Sequence, residues 1–360
     1  MTDDLFSQFF ELFNQPGSVN LRLAAEVAHH LTGERQPVDP WAAEEFRELT
    51  RLAEFELEKV APFPVRPAPD VVPGDGREFV DRSLDGARYL AEPFADMIDL
   101  GAVGPAAEML KPVGAAMAGM QIGTLLGSLA GWALASFDAG VPLDLGTPIV
   151  FIVPNIEAFV SAHDLDAREV RLWSSLNEVT HRAMFGVPFT REHLAGLIQT
   201  YADTIRTAPT DLMQLMQGMD PADLQSGAID PDALSSMFDK PETRAAGDEL
   251  RAFLGLTIGY RRLLVARAAR TLLPSLDRIY AHRDGDRGLG DQMSGSAFAP
   301  TFVPAEAIDA GRTFCREVER RYGPEELDAV FTREGRFPTA TEITDPVAWA
   351  ARVLLPEMGT

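Results

Sequence analysis

The sequence predicts a mainly α-helical fold that carries one small β element near residues 149–153. Apolar residues recur at helical spacing through most of the chain, as Phe46, Leu49 and Leu57 do between residues 40 and 60. The run at 149–153 is instead short and rich in β-branched residues, and a proline follows it, which is typical of a buried strand. Helices with one short strand are therefore the expected architecture.

Start and stop signals place the individual helices. Asp166 is an expected N-cap because Glu169, three residues later, completes a capping box, and Thr190 is expected to cap the next helix. Residues 211–240 contain several Gly and Pro breakers, which favour short helices and turns, and 284–304 are expected to form a mobile loop. The expected helices cover residues 20–31, 40–60, a stretch from 76, 166–185, 190–205, 242–273, 305–322, 324–331 and one from 346.

The division of the chain is predicted from proline content. Five prolines fall within residues 62–73, which show no periodicity, so 61–75 is expected to be a connector. It would join the N-terminal helices of residues 1–60 to a helical domain of residues 76–360. We expect the two parts to pack together as one unit.

The segment 113–137 has no charged residue and is long enough to span a bilayer. Gly119, Gly123, Gly127 and Gly131 lie four residues apart on one helical face, which lets another helix approach closely. Because basic flanks are missing, we expect a buried helix of a water-soluble fold rather than a membrane span. Membrane association or self-association through this glycine face is the alternative.

Composition excludes some partners. The net charge of −22 repels phosphate backbones and anionic lipid, so no nucleic-acid partner is expected and a membrane partner is disfavoured. A single cysteine, Cys315, cannot form an internal disulfide, which fits a reducing compartment. The acidic start lacks the positive charge of a signal peptide. We therefore expect a cytoplasmic protein.

The segment Asn177-Glu178-Val179-Thr180-His181 has the spacing of a zinc-binding helix. Residues four apart share a helical face, so a metallopeptidase can aim two histidines at one zinc while the glutamate after the first activates a metal-bound water. Here asparagine stands at the first histidine position, and an amide is a poor zinc ligand beside imidazole. By spacing alone, a surface ion pair on an ordinary helix would explain the pattern equally well.

Sequence resemblance favours the metal-site interpretation. The stretches PNIEAFVSAHDLDAREVRLWSSLNEVTHRAMFGVPFTREHL, PGSVNLRLAAEVAHHL, MAGMQIGTLLGSLAGWAL and FPTATEITDPVAWAARVL resemble the zincin-like metallopeptidase family, which includes bacterial proteins called "putative hydrolase". The resemblance covers about residues 16–354 and implies a zincin-like helical fold. Some members have been linked to biosynthesis of the deazaflavin cofactor F420, but this sequence has no flavin or deazaflavin motif.

The resemblance assigns roles at single positions. Glu178 matches the general base and His181 matches the second zinc histidine, whereas Asn177 replaces the first. Active members have a downstream LLxLxEGH helix whose glutamate is implied as the third ligand, and Ile258 stands at that position. The resemblance therefore implies a degenerate motif in which Glu178 and His181 are vestigial, and no cofactor is expected.

Two functions remain open at this point. The first is a non-catalytic zincin-like protein, a pseudoenzyme that binds a peptide or protein segment in the former cleft or serves as a scaffold. The second is a metal-dependent hydrolase with a rearranged zinc site built on Glu178, His181 and a carboxylate. Cleft candidates for either function are Asp248, Glu249 and Tyr260.

Overall fold

The computed structural model describes residues 17–95, 107–138, 140, 143, 146–205, 240–285 and 303–355. Within them the chain is mainly helical with a two-stranded sheet, as the sequence predicts. The elements are α1 Leu21–Thr32, α2 Trp41–Glu58, β1 Val71–Gly74, α3 Gly76–Ala95, α4 Ala107–Ala130, β2 Ile149–Ile152, α5 Val153–His163, α6 Ala167–Phe185, α7 Pro188–Ile205, α8 Pro241–Ala268, α9 Leu276–Gly285, α10 Ala305–Tyr322, α11 Pro324–Thr332, a 3-10 turn at Glu342–Thr344, and α12 Pro346–Val353.

Several helix boundaries differ from the sequence prediction. Thr190 does not cap α7, because the helix already begins at Pro188, where the fixed φ of proline suits the first turn. Helix α9 was not predicted, and it extends to Gly285, so residues 284 and 285 are helical although a loop was expected from residue 284. The turns expected for residues 211–239 and the loop expected for 286–302 lie outside the described residues.

The small sheet pairs β2 with a strand that the sequence did not reveal. Strand β1 lies in the proline-rich connector and runs parallel to β2, with Val71 opposite Ile149 and Gly74 opposite Ile152. A proline is tolerated here because a two-stranded sheet has only edge strands. Residues 131–137 are not helical, contrary to expectation, because Ala135 instead bridges Phe151 in antiparallel fashion on the other side of β2.

The glycine face of α4 packs against α1 of the same chain. A Cβ atom on Gly123 would lie 2.5 Å from the Ala24 carbonyl oxygen, and one on Gly127 would lie 2.8 Å from Leu31 Cβ. Gly119 meets the backbone of Asn20 in the same way, whereas Gly131 follows the end of the helix. Self-association through this face would therefore have to displace α1.

One apolar cluster runs through the described part of the chain. It includes Val19 and Phe46 from the N-terminal stretch and extends to Val353 in α12. The rings of Phe46 and Phe151 stack with centroids 4.4 Å apart, which joins α2 to the sheet. Among the described helices, none has the length and apolar character required to cross a membrane.

The α1–α4 contact predicts opposite effects for two glycine substitutions. Gly123→Ala places a methyl group against the α1 backbone and should lower the free energy of unfolding by about 1–3 kcal/mol. Gly196→Ala, in α7 with open space around it, should instead raise it by about 0.4–1 kcal/mol through helix propensity. Urea unfolding of both variants measures this, and equal effects would show that α1 does not press on the glycine face.

Candidate functional site

Helix α6 carries all three residues of the motif into the interior. The Asp166 side chain accepts a hydrogen bond from the Glu169 N–H at 2.9 Å, which starts the helix as predicted. From Leu172 to Phe185 nearly every residue is buried, and Asn177, Glu178 and His181 are 2%, 1% and 0% exposed. A solvated ion pair on the surface of α6 is therefore excluded.

The Glu178 carboxyl group binds the backbone of the segment that joins α4 to β2. We call residues 133–138 of this segment the site loop. The Phe137 N–H donates to both Glu178 oxygens at 3.0 Å, and the Arg261 guanidinium of α8 donates to the Phe137 carbonyl at 3.1 Å. The backbone N–H and the backbone carbonyl of Phe137 are thus each bonded to a buried side chain, the first to Glu178 and the second to Arg261.

A second buried pair anchors the end of the site loop. The Asp138 carboxylate forms an ion pair with Arg283 of α9 and accepts a hydrogen bond from the Leu134 N–H at 3.0 Å. Arg283 also donates to the Trp132 carbonyl at 3.1 Å. Helices α6, α8 and α9 therefore all bind the loop through its backbone or through Asp138.

The electrostatics of Glu178 follow from this burial. Desolvation, followed by repulsion from Asp138, raises the pKa of Glu178 to about 8. The Phe137 N–H and the Arg261 and Arg182 guanidinium groups oppose this rise without cancelling it. At neutral pH the carboxyl group is therefore mostly protonated.

His181 lies between two aromatic rings. Its imidazole stacks on Phe137 at a centroid distance of 5.2 Å and lies 4.6 Å from Phe185. Burial, and then the charges of Arg261 and Arg182, lower the pKa of His181 well below the ordinary value. Both ring nitrogens are buried and find no hydrogen-bond partner among the described residues.

The two altered ligand positions have structural roles. The Asn177 amide donates to the Trp173 carbonyl at 3.0 Å, while its Oδ1 atom has no hydrogen-bond partner in the described part of the chain. Ile258 is fully buried, and a Cβ atom on Gly140 would lie 2.7 Å from its Cδ1 atom. Gly140 has a φ of +88°, which favours glycine, so Ile258 packs against a tight turn just after the site loop.

The proposed cleft residues on α8 lie elsewhere. Asp248 is exposed and pairs with Arg251, and Glu249 accepts a hydrogen bond from the Ala340 N–H at 2.9 Å. The Tyr260 hydroxyl donates to Asp328 at 2.7 Å inside the core. The structure therefore does not bring Asp248, Glu249 or Tyr260 together with Glu178 and His181.

These residues do not fit a zinc ion. Structural and catalytic zinc sites use at least three protein ligands, and the described residues contain no group of three His, Cys, Asp or Glu side chains placed to hold a metal. On the helix that carries His181, Asn177 presents an amide and Glu178 a carboxyl group bonded to Phe137, while the rings of Phe137 and Phe185 flank the imidazole.

The contact between the site loop and Glu178 was not predicted from the sequence. Arg261 was identifiable as a basic residue that could satisfy a buried Glu178, but the partner that Glu178 actually has is a backbone N–H. Every residue except proline carries a backbone N–H, so the sequence does not indicate which of them binds Glu178. Asp138 and Arg283 are a single acid and a single base 145 residues apart, and nothing in the sequence pairs them.

A buried helix with a zincin motif, set beside a small sheet in a helical fold, defines the class of a zincin-like protein. The chain belongs to the zincin-like metallopeptidase family, which it matches over residues 19–350. Its fold is similar to that of a crystal structure described as "a putative hydrolase with a novel fold" from Chloroflexus aurantiacus, with a TM-score of 0.64 and 23% identity. The similarity covers 93% of this chain and 98% of the other. Among curated proteins, none matches this sequence.

The shifted pKa values predict how stability varies with pH. The folded protein keeps a proton on Glu178 that the unfolded chain loses above about pH 4.5, so stability falls as pH rises toward about 8. The unfolded chain binds a proton at His181 below about pH 6.5 that the folded protein does not bind, so the His181 contribution to stability falls as pH drops below this value. Between about pH 4.5 and 6.5 it offsets the Glu178 contribution, which rises as pH drops.

Two variants separate these contributions. Glu178→Gln should flatten the fall in unfolding free energy between about pH 6.5 and 8, which has a slope of up to about 1.4 kcal/mol per pH unit. His181→Phe should leave the profile above pH 6.5 unchanged and should make stability rise as pH falls from about 6.5 to 4.5, a range in which the two contributions offset each other in the parent. Urea unfolding across this pH range measures both, and a Glu178→Gln profile parallel to the parent above pH 6.5 would contradict the buried, protonated carboxyl group.

Proposed function

We propose that this protein is a non-catalytic member of its family that binds a protein segment beside the former catalytic helix. The observation that carries the proposal is the hydrogen bond from the Phe137 N–H to both oxygens of Glu178. A general base must be ionised and within reach of the water it deprotonates. Glu178 is instead buried, and both of its carboxyl oxygens accept a hydrogen bond from the protein's own backbone.

A hydrolase with a rearranged metal site is the second candidate. It is favoured by one observation, since the two nitrogens of His181 are buried without hydrogen-bond partners among the described residues and could accept a ligand. A third ligand would then have to come from a carboxylate such as Glu249. That carboxylate binds the Ala340 N–H, so α8 would have to move before it could reach His181.

A groove at the C-terminal end of α6 supports a binding role. Its volume is about 400 Å³, and the proline-rich connector forms one wall through Pro64, Arg66, Pro67 and Pro69. The other wall begins at Arg182, directly after His181, and runs to Pro188. The groove therefore adjoins the degenerate motif.

The lining of the groove indicates the kind of segment it would take. The prolines and aliphatic residues of the groove can pack against the apolar side chains of an extended peptide. Such a peptide buries apolar area without having to form a helix. Arg66 and Arg182 are its charged residues, so the groove is locally basic in a chain of net charge −22. An extended acidic segment with apolar residues is the complementary partner.

Peptide binding and peptide integrity test this proposal together. An array of extended peptides should show selective binding of acidic, proline-containing sequences, and fluorescence anisotropy should confirm the best one. Arg66→Glu should weaken that peptide at least tenfold, since it reverses a charge in the groove. Arg191→Glu is the matched control on the surface of α7, outside the groove, and should bind as the parent does.

The same peptide, incubated with protein and added zinc, should be recovered intact by mass spectrometry. Zinc-dependent cleavage that Glu178→Gln abolishes would support the hydrolase instead. Equal loss of binding in both charge-reversal variants would show that net charge, not the groove, determines the interaction.

A further inference from the structure

A surface groove lies between α1 and α4. The two helices run parallel, because Gly119 lies against Asn20 and Gly123 lies against Ala24. In two parallel helices, a residue that follows a contact position on one helix and a residue that precedes a contact position on the other point to the same side. We call the side chains on this side the α1–α4 groove, and they are Leu23, Val27 and Leu31 of α1 and Met117, Met120 and Thr124 of α4.

The α1–α4 groove is apolar and open to solvent. Leu31 is 51% exposed, Met120 is 46% exposed and Met117 is 37% exposed. Large apolar side chains that are exposed singly are common, whereas several of them along one groove mark an interaction site.

The opposite side of the α1–α4 contact is covered by α3. His29, which follows Ala28 on α1, bonds to Asp81 of α3 at 2.7 Å. Among the described elements, α1 packs mainly against α3 and α4, and α4 packs mainly against α1 and α3. None of these contacts covers the α1–α4 groove.

The chain that precedes α1 contains a segment of matching character. Residues 1–16 lie outside the described residues, and their apolar side chains recur at helical spacing. Ser7, Glu11 and Asn14 fall on the opposite face of such a helix. The spacing therefore predicts an amphipathic helix, which needs a surface against which to bury its apolar face. The apolar residues are Leu5, Phe6, Phe9, Phe10, Leu12 and Phe13.

The start of α1 places this segment beside the groove. The Asn20 N–H donates to the Ala115 carbonyl at 2.9 Å, so α1 begins next to the end of the groove that holds Met117. The chain bends at Gly17, whose φ of +122° favours glycine. A helix over residues 5–13 would be about 13 Å long, and the groove, which extends along about ten residues of α4, is about 15 Å long.

We propose that residues 5–13 form an amphipathic helix whose phenylalanine face packs into the α1–α4 groove of the same chain. The short connection to α1 keeps the segment near the groove at an effective concentration on the order of millimolar, which favours it over a second copy of the protein. The α1–α4 groove shares no residue with the groove beside α6, so this contact is independent of the peptide-binding role.

Methionine oxidation measures whether the groove is covered. Met117 and Met120 line the groove, and a covered thioether reacts slowly with hydrogen peroxide. Met184 is fully buried in α6 and provides the internal reference for an intact fold. The full chain is treated with limiting peroxide, and peptide mass spectrometry then gives the rate of sulfoxide formation at each of the three positions.

Two double variants with the same added charge test the proposal. Phe9→Asp with Phe13→Asp places two carboxylates on the apolar face, so the segment should leave the groove and both groove methionines should oxidise about fivefold faster or more. Ser7→Asp with Asn14→Asp places two carboxylates on the opposite face, and the parent rates should persist. All four positions lie outside the described fold, so the reference methionine should stay protected in both variants.

Three outcomes would overturn the proposal. Fast oxidation of the groove methionines in the parent would show that the groove is open. Equal rates in the two double variants, whether fast or slow, would show that the phenylalanine face does not cover the groove. Protection that increases with protein concentration and survives Phe9→Asp with Phe13→Asp would assign the groove to a second copy of the chain.

Discussion

The backbone of Phe137 connects two buried helices of this protein, α6 and α8. Its N–H binds Glu178 of α6 and its carbonyl accepts from Arg261 of α8, so two buried helices share one backbone unit of the site loop. The ring of the same residue covers His181. A zincin motif directs its glutamate and histidine toward a water molecule and a metal ion. Here Phe137 contacts both side chains, because its N–H binds Glu178 and its ring stacks on His181. Asn177 and Ile258 are buried as well, and neither side chain carries a charge.

Burying this many charged groups is costly unless each finds a partner. Arg261, Arg283, Asp138 and Glu178 are all nearly inaccessible to solvent, and each bonds either to the site loop or to another member of the set. The partners come from α6, α8, α9 and the loop itself, so their positions depend on one another. Substituting one member should disturb the rest, because breaking a buried pair leaves an unpaired charge behind.

Much of the fold followed from local patterns. Helical spacing and the Asp166 cap located α1, α2, α6, α10 and α12 closely, and the glycine spacing correctly indicated a tight helix contact. Strand β1 was missed because its single proline and its glycine argue against a strand unless a partner such as β2 is known. The segment Asn177–His181 was singled out by its resemblance to the family, because its spacing alone would equally describe a surface ion pair. The groups that surround Glu178 could not be predicted, because the principal donor is a backbone N–H and the Asp138–Arg283 ion pair joins residues far apart in sequence.

Zinc stoichiometry tests the central claim most directly. The purified protein, equilibrated with excess zinc and then dialysed against metal-free buffer, should retain no stoichiometric zinc by elemental analysis, since one histidine cannot hold the ion against water. The variant Asn177→His with Ile258→Glu, treated identically, supplies two further ligands and provides the positive control. Retention of about one zinc per parent chain would contradict the account, because it would require the site loop to give up Glu178 to a metal-centred arrangement.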